Sequence, residues 1–429
     1  MTIEKSSFIK EEKKPYLNWQ IKIFIATWLA YAGYYFCRKA FYVVKSPLST
    51  DLNLNTIDLA HLGTAYLIAY MIGQFSSAYF GKKLGPKLLL LVGMGISITC
   101  NFSFGISNSF WTIMLFLFLN GIAQGTGWPG CIGSLAFWFK RKQRGTILGV
   151  WATCYQIGSV IATSFAAFML GKAGWQWSFF GASMVLLIIW AIVLIFHPNT
   201  PEDVNLPTLE DEEENNKESK ESKDKGLGWN REVIITIIMM GLIYFCIKFL
   251  RYALWSWTPF FFNKNFGMAG DQSGYLSTVF DMCGFIGVLF AGYTSDKVFK
   301  GKRAFLTFLM LFIMTLSFIM MYVLGSKSLL FFTISMGISG FMLYGPDSLL
   351  SGVGAIDVGS KKGALTAAGI INGMGSIGPI FQEELIGWMY KTYNQELLPI
   401  LIMFIIISLI GTVIIFSLWL KSLKGKVNL

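Results

Sequence analysis

The chain has 429 residues, a formal net charge of +11 and 54% hydrophobic residues, with 38 Phe and only 14% charged residues. That balance excludes an ordinary water-soluble domain, which does not expose apolar surface on this scale. Apolar runs of about 20 residues or more recur, each long enough to cross a hydrocarbon core of roughly 30 Å, so the chain reads as an all-α membrane protein.

Residues 1–20 form a charged N-terminal tail, MTIEKSSFIKEEKKPYLNWQ. It lacks the short apolar region and cleavage site of a secretory signal, so the first apolar run is expected to remain as a helix. Twelve spans follow, near 21–45, 58–81, 86–106, 109–137, 145–170, 175–197, 232–262, 272–294, 304–325, 328–352, 363–390 and 396–420. They predict a six-helix bundle over 21–197, a second over 231–420, and a tail over 421–429. Between the bundles, residues 198–230 are rich in Glu, Lys, Ser, Asn and Pro. Such a stretch buries too little surface to fold and reads as a flexible linker.

The basic balance invites a nucleic-acid reading, but the placement of charge argues for topology. With the N-terminus inside, the inner side collects Lys5, Lys10, Lys13, Lys14 and Lys22, then Lys82, Lys83 and Lys87, then Lys140, Arg141, Lys142 and Arg144. Lys297, Lys300, Lys302 and Arg303 join them, then Lys361, Lys362 and the tail lysines 421, 424 and 426. The outer loops keep Lys45, Lys172, Lys264, Lys327 and Lys391. This asymmetry follows the positive-inside rule and predicts that both termini are cytoplasmic.

Two arginines lie deep in apolar segments: Arg38 in IFIATWLAYAGYYFCRKAFYVV and Arg251 in IITIIMMGLIYFCIKFLRYALWSW. A charge at the centre of a membrane helix costs roughly 2.5–3.5 kcal/mol on insertion scales, and such residues line polar pathways. Arginine offers a planar fork that fits phosphate or carboxylate. One arginine in each half suggests one anion held between two halves. Lys39 and Lys248 also lie inside their spans, and Asp281 in STVFDMCGF is an available acid. An unpaired buried charge is costly, so Asp281 is expected to pair with Lys39 or Lys248, either as a permanent bridge or as one that breaks and reforms between conformations. Asp347, Glu383 and Glu384 are further intramembrane or interfacial acids with no role legible in the sequence.

The halves repeat weakly. A shift of 214 aligns Leu62 with Leu276 and Gly73 with Gly287, and brings Arg38 within one position of Arg251. A nearby proline follows each arginine, Pro47 and Pro259. Duplicated halves with a site at their interface recur among transporters. The six cysteines make no CxxC pair or zinc spacing, and His61 and His197 form no cluster, so no metal or cofactor is expected. The glycines of GIAQGTGWPG (121–130) lack the Lys-Ser/Thr ending of a phosphate loop; they read as helix-packing positions, with Pro129 as a kink.

The loop after the eighth span, with Gly292, Asp296, Lys297, Gly301, Lys302 and Arg303, resembles the G-x-x-x-D-[RK]-x-G-[RK]-[RK] loop of the major facilitator superfamily. There Gly292 would allow close helix approach, and Asp296 would pair with basic neighbours or accept hydrogen bonds. GYYFCRKAF (33–41), NGIAQGTGWPGC (120–131), KRKQRGTILGVWATCYQIGS (140–159), LRYALWSWTP (250–259) and YGP (344–346) resemble, in order, motifs of the organophosphate:phosphate antiporters within that superfamily. The resemblance implies a fold of 12 transmembrane helices in two pseudo-symmetric six-helix bundles, a monomer, and phosphate bound by Arg38 and Arg251 from opposite halves. A phosphate or phosphomonoester carries about −1.5 to −2 charges near pH 7, which two guanidiniums nearly balance.

The chain also departs from the glycerol-3-phosphate transporters. Gln74 stands where they carry a lysine, Tyr155 where they carry a histidine, and Ser256 where they carry an acid. AYMIGQF (69–75), STVFDMCGFIGVLFAGYTSD (277–296) and IINGMGSIG (370–378) look more like the animal-type sugar-phosphate exchangers. Tyr31, Tyr35, Trp128, Trp151, Tyr155 and Tyr252 could shape the sugar end of a pocket or serve ordinary packing; Tyr35 shares a helical face with Arg38. The expected function is exchange of a phosphorylated sugar, such as glucose-6-phosphate or glycerol-3-phosphate, for inorganic phosphate at the plasma membrane by a non-enzyme. A sugar-phosphate receptor signalling to a kinase, and a proton-coupled symporter of another organic anion, are the alternatives.

Overall fold

The computed structural model describes residues 2–207, 231–299, 303–350 and 355–423. Most of the expected linker (208–230), Lys300, Gly301, Lys302 and the tail from 424 lie outside the described residues. So do the side chains of residues 2–15, Lys82, Arg141, Lys142, Arg144, Asp296, Lys361 and Lys362.

Every described regular element is helical: α1 (Thr2–Asp51), α2 (Thr56–Gly105), α3 (Phe110–Gln124), α4 (Gly127–Trp138), α5 (Arg141–Trp151), α6 (Thr153–Ala173) and α7 (Trp175–Phe196). After the linker come α8 (Arg231–Phe266), α9 (Gly270–Tyr293), α10 (Arg303–Met320), α11 (Leu329–Leu349), α12 (Ala355–Thr392) and α13 (Leu398–Leu423). To within a few residues at their ends, the twelve predicted spans fall on these helices. Nine segments among the described residues are long and apolar enough to cross a membrane, from Lys83–Gly105 to Leu398–Leu423. The other three predicted spans lie on α1, the first part of α2, and α12. Their apolarity is diluted by polar side chains, including Arg38, Lys39 and Lys45 on α1 and Gln382, Glu383 and Glu384 on α12. Many large apolar side chains point outward, among them Phe75, Trp111, Ile188 and Ile195, as lipid contact requires.

Local chemistry explains the breaks. α2 bends at Gly85, whose φ of 75° and ψ of 162° suit only glycine, and Pro86 opens the next turn, where its missing N–H costs nothing. Asn55 caps the start of α2: its Oδ1 accepts from the N–H groups of Ile57 (2.8 Å) and Asp58 (3.2 Å), and Asp58 Oδ2 accepts from the Asn55 N–H (2.9 Å). The fourth span divides between α3 and α4 at Gly125 and Thr126. Pro129, read as a kink, lies in the first turn of α4 just after that break.

The contacts divide the chain into two compact units, 1–40 with 68–169 and 173–223, and 41–67 with 170–172 and 224–429. In the first unit, a Cβ on Gly73 would run into the Ile122 carbonyl, so α2 crosses α3 backbone against backbone. In the second, a Cβ on Gly287 would run into the Phe341 carbonyl where α9 crosses α11. These are the two glycines that the repeat aligns, each used for the same close crossing within its unit. Gly292 differs from expectation: no described atom lies within 4 Å of a Cβ built there. The close approach expected at Gly292 is made one to two turns earlier, at Gly287 and Gly284, the latter against Tyr344.

Candidate functional site

In the first unit, Arg38 sits on α1 and is only 6% exposed. Tyr35, one turn earlier, presents its ring 4.9 Å from the guanidinium carbon, and Tyr70 of α2 presents its ring at 4.7 Å. Aromatic faces attract cations, more strongly when water is excluded. The Arg38 Nε–H donates to Gln124 Oε1 at 3.0 Å. Gln124 is fixed in turn by Ser97 (3.4 Å) and Asn120 (3.3 Å), Ser97 donates to Asn120 Oδ1 at 2.6 Å, and Asn120 Nδ2 donates to the Cys37 carbonyl at 3.2 Å. A buried polar chain from α2 and α3 therefore orients the arginine. Gln74 donates to the Tyr70 hydroxyl at 3.0 Å, so it reaches Arg38 through Tyr70.

Four of the predicted aromatic residues, Tyr31, Tyr35, Trp128 and Trp151, gather beside this cluster. Tyr31 lies 5.6 Å from Trp128, 5.4 Å from Trp151 and 6.0 Å from Tyr35, measured between ring centres. Trp128 and Trp151 are 5.5 Å apart, and Trp151 Nε1 donates to Thr27 Oγ1 at 3.1 Å. The Trp128 side is partly open, with 39% of the residue exposed. Tyr155 is half-buried on the first turn of α6.

In the second unit, Arg251 on α8 donates from Nη1 to Asp347 Oδ2 of α11 at 2.9 Å. Its guanidinium carbon lies 4.4 Å from the centre of the Tyr344 ring, and the Tyr344 hydroxyl donates to Asp281. Tyr252 packs against Trp255 at 5.4 Å. Lys248, one turn before Arg251, donates to Asn372 Oδ1 (2.8 Å) and Ser376 Oγ (3.4 Å) of α12. Of the two partners expected for Asp281, Lys248 thus turns to an amide and a hydroxyl. Lys39 is 3% exposed on α1.

The structure corrects one placement. Lys45 was expected in an outer loop, but α1 continues to Asp51 and buries it completely. Lys45 Nζ donates to Glu383 Oε2 at 2.9 Å and to Ser256 Oγ at 2.7 Å, and lies 3.9 Å from the centre of the Trp257 ring. Ser256 also donates to Glu383. The acid absent at position 256 is in effect supplied by α12. Beside it, His61 meets Glu384 at 3.0 Å with both side chains well exposed. Of the loop motif, Lys297 lies in a π-helical turn, Thr294–Val298, and Arg303 opens α10.

The Major Facilitator Superfamily profile matches residues 24–383. The chain belongs to the Major Facilitator Superfamily. It is a multi-pass membrane protein with that superfamily's fold. Its similarity to a "Probable hexose phosphate transport protein" of Chlamydia pneumoniae is 28% identity over 90% of each chain. It is 26% identical to a "Glycerol-3-phosphate transporter" of Bacillus subtilis over 88% of each chain. It is also 26% identical to "Sugar phosphate exchanger 3" of Gallus gallus, over 87% of this chain and 88% of the other. Among solved structures, an inward-facing, unoccupied bacterial homologue of the human lysosomal transporter Spinster aligns with a TM-score of 0.76 at 15% identity, covering 96% of this chain and 98% of the other. A D-xylose-proton symporter aligns at 0.69 with 12% identity, over 93% and 97% of the two chains. At these identities the two structures bear on the fold alone.

Proposed function

We propose that this transporter exchanges a phosphorylated sugar for inorganic phosphate by alternating access in the plasma membrane. The observation that carries this is the pair of membrane-helix arginines, one in each unit, each set against tyrosine rings and oriented by a polar side chain. Membership of the superfamily supports a transporter, and the names of the relatives support the phosphorylated substrate class. Arg38 and Arg251 take the phosphate, with charge-assisted hydrogen bonds strengthened by low local dielectric. Gln74 and Tyr35 shape the Arg38 side, and Tyr31, Trp128, Trp151, Tyr155 and Tyr252 offer rings, hydroxyls and indole N–H groups to the sugar. The reaction breaks no bond: the ligand crosses unchanged.

The proposed organisation has an N-terminal bundle over 21–197, a linker over 198–230 and a C-terminal bundle over 231–420, with both termini cytoplasmic and the protein monomeric. Identities of 28, 26 and 26% to the three relatives do not separate a hexose phosphate from glycerol-3-phosphate. Proteoliposomes loaded with phosphate decide this. Counterflow of labelled glucose-6-phosphate or glycerol-3-phosphate that needs internal phosphate supports exchange, and the better competitor names the substrate. Uptake that runs equally well without internal phosphate, or a protein that binds sugar phosphate without moving it, contradicts exchange.

A further inference from the structure

We propose that Asp347 is an internal counter-anion for Arg251, one that an incoming phosphate must displace, and that this contest selects phosphates over carboxylates. The inference rests on the assignment of Arg251 as a substrate ligand made above.

Asp347 Oδ2 lies 2.9 Å from Arg251 Nη1, where an oxygen of a bound anion would sit. The pair is not fully enclosed, with side chains 18% and 10% exposed, whereas Lys45 and Glu383 are both at 0%. A sealed pair such as Lys45–Glu383 suits a permanent tie. A pair that is only partly enclosed suits an exchangeable one, because a released carboxylate there need not be stranded in a sealed site.

The surroundings separate what stays from what leaves. Arg251 is seated by the Tyr344 ring at 4.4 Å, and Tyr344 is anchored through its hydroxyl to Asp281. The guanidinium therefore keeps a support when its carboxylate partner changes. Asp347 stands directly after Pro346 and two residues before the end of α11 at Leu349. The missing N–H of Pro346 leaves the Met342 carbonyl, one turn earlier, without its usual helical donor, while the Asp347 carbonyl accepts from the Leu350 N–H.

The chemistry sets the direction of selection. A carboxylate ligand brings one negative charge and two oxygens, which Asp347 already supplies from within the chain. A phosphomonoester brings about −1.5 to −2 charges and three acceptor oxygens, so it gains where a carboxylate does not. Specificity of this kind is a difference between affinities, here set by a built-in competitor.

The test uses purified full-length protein and labelled inorganic phosphate, with glycerate as the carboxylate probe. Wild type and Arg251→Lys are measured first; wild type that binds no phosphate sinks the proposed function itself. Given wild-type binding, Asp347→Asn and Asp347→Ser are expected to bind phosphate about tenfold more tightly and to lose much of their preference over glycerate. Asp347→Glu, which keeps the charge, retains the preference. Phosphate binding unchanged or weakened in a folded neutral variant means Asp347 only positions Arg251, and the inference fails while the proposed function stands. Failure of both neutral variants to give folded protein also makes Asp347 structural and overturns the inference.

Discussion

Lys45→Met removes the positive partner of the Lys45–Glu383 pair and leaves a carboxylate in a site where both side chains are 0% exposed. Removing one member of a buried ion pair costs about 3–5 kcal/mol, chiefly because the remaining charge is stranded. The lost hydrogen bond to Ser256 and the cation–π contact with Trp257 act in the same direction. Methionine fills most of the lysine stem, so no large cavity adds to the loss. Replacing both partners by neutral groups of similar shape, Lys45→Met with Glu383→Gln, removes the stranded charge, and the double variant is expected to recover much of the stability. Reversible unfolding of detergent-solubilised protein, followed for wild type, both single variants and the double, gives the coupling between the two positions. A Lys45→Met variant within about 1 kcal/mol of wild type, the scale of an exposed pair, refutes the reasoning. So does a double variant as unstable as the sum of the singles.

The neighbouring His61–Glu384 pair gives the contrast. With 48% and 38% of the side chains exposed, His61→Ala is expected to cost less than about 1 kcal/mol by the same unfolding measurement. Gly287→Val drives a side chain into the Phe341 carbonyl and should sharply reduce the yield of folded, monodisperse protein on gel filtration, while Gly292→Ala, whose Cβ would meet no neighbour among the described residues, should leave it unchanged. His197 lies one residue beyond α7, where burial pushes its imidazole down to about 4 and its Nε2 meets Ser134 Oγ at 2.8 Å. The unfolded chain takes up this proton near the ordinary value of about 6.5 and the folded chain only near 4, so stability present above pH 6.5 is lost as the pH falls through that window. A His197→Gln variant should show a flatter melting-temperature profile between those pH values; an unchanged slope contradicts the assignment.

The helical framework was legible because membrane spans are written as long apolar runs whose backbone must satisfy itself. The repeat was legible at Gly73 and Gly287, because a close backbone crossing tolerates little else. Tyr35 against Arg38 was legible as a contact one turn apart on one helix. Lys45 was not: it follows the apolar run as a loop residue would, and its partner Glu383 is 338 positions away. Nothing in either local pattern encodes that meeting. Asp347 was seen as an intramembrane acid, yet its pairing with Arg251 depends on how α8 and α11 are rotated, which hydrophobic spacing leaves open. The glycine expected to pack in the loop motif was misplaced for a related reason. Motif position marks which residues recur, whereas contact depends on where along the crossing the helices touch.

The central claim is that both arginines hold the transported phosphate. Labelled phosphate uptake into phosphate-loaded proteoliposomes, compared for wild type, Arg38→Lys and Arg251→Lys, tests it most directly. Lysine keeps the charge but loses the planar fork, and charge-assisted hydrogen bonds are worth about 1.5–3 kcal/mol, so each variant should lose about tenfold to a hundredfold in apparent affinity. Uptake by either variant indistinguishable from wild type, at equal reconstituted protein, contradicts the account.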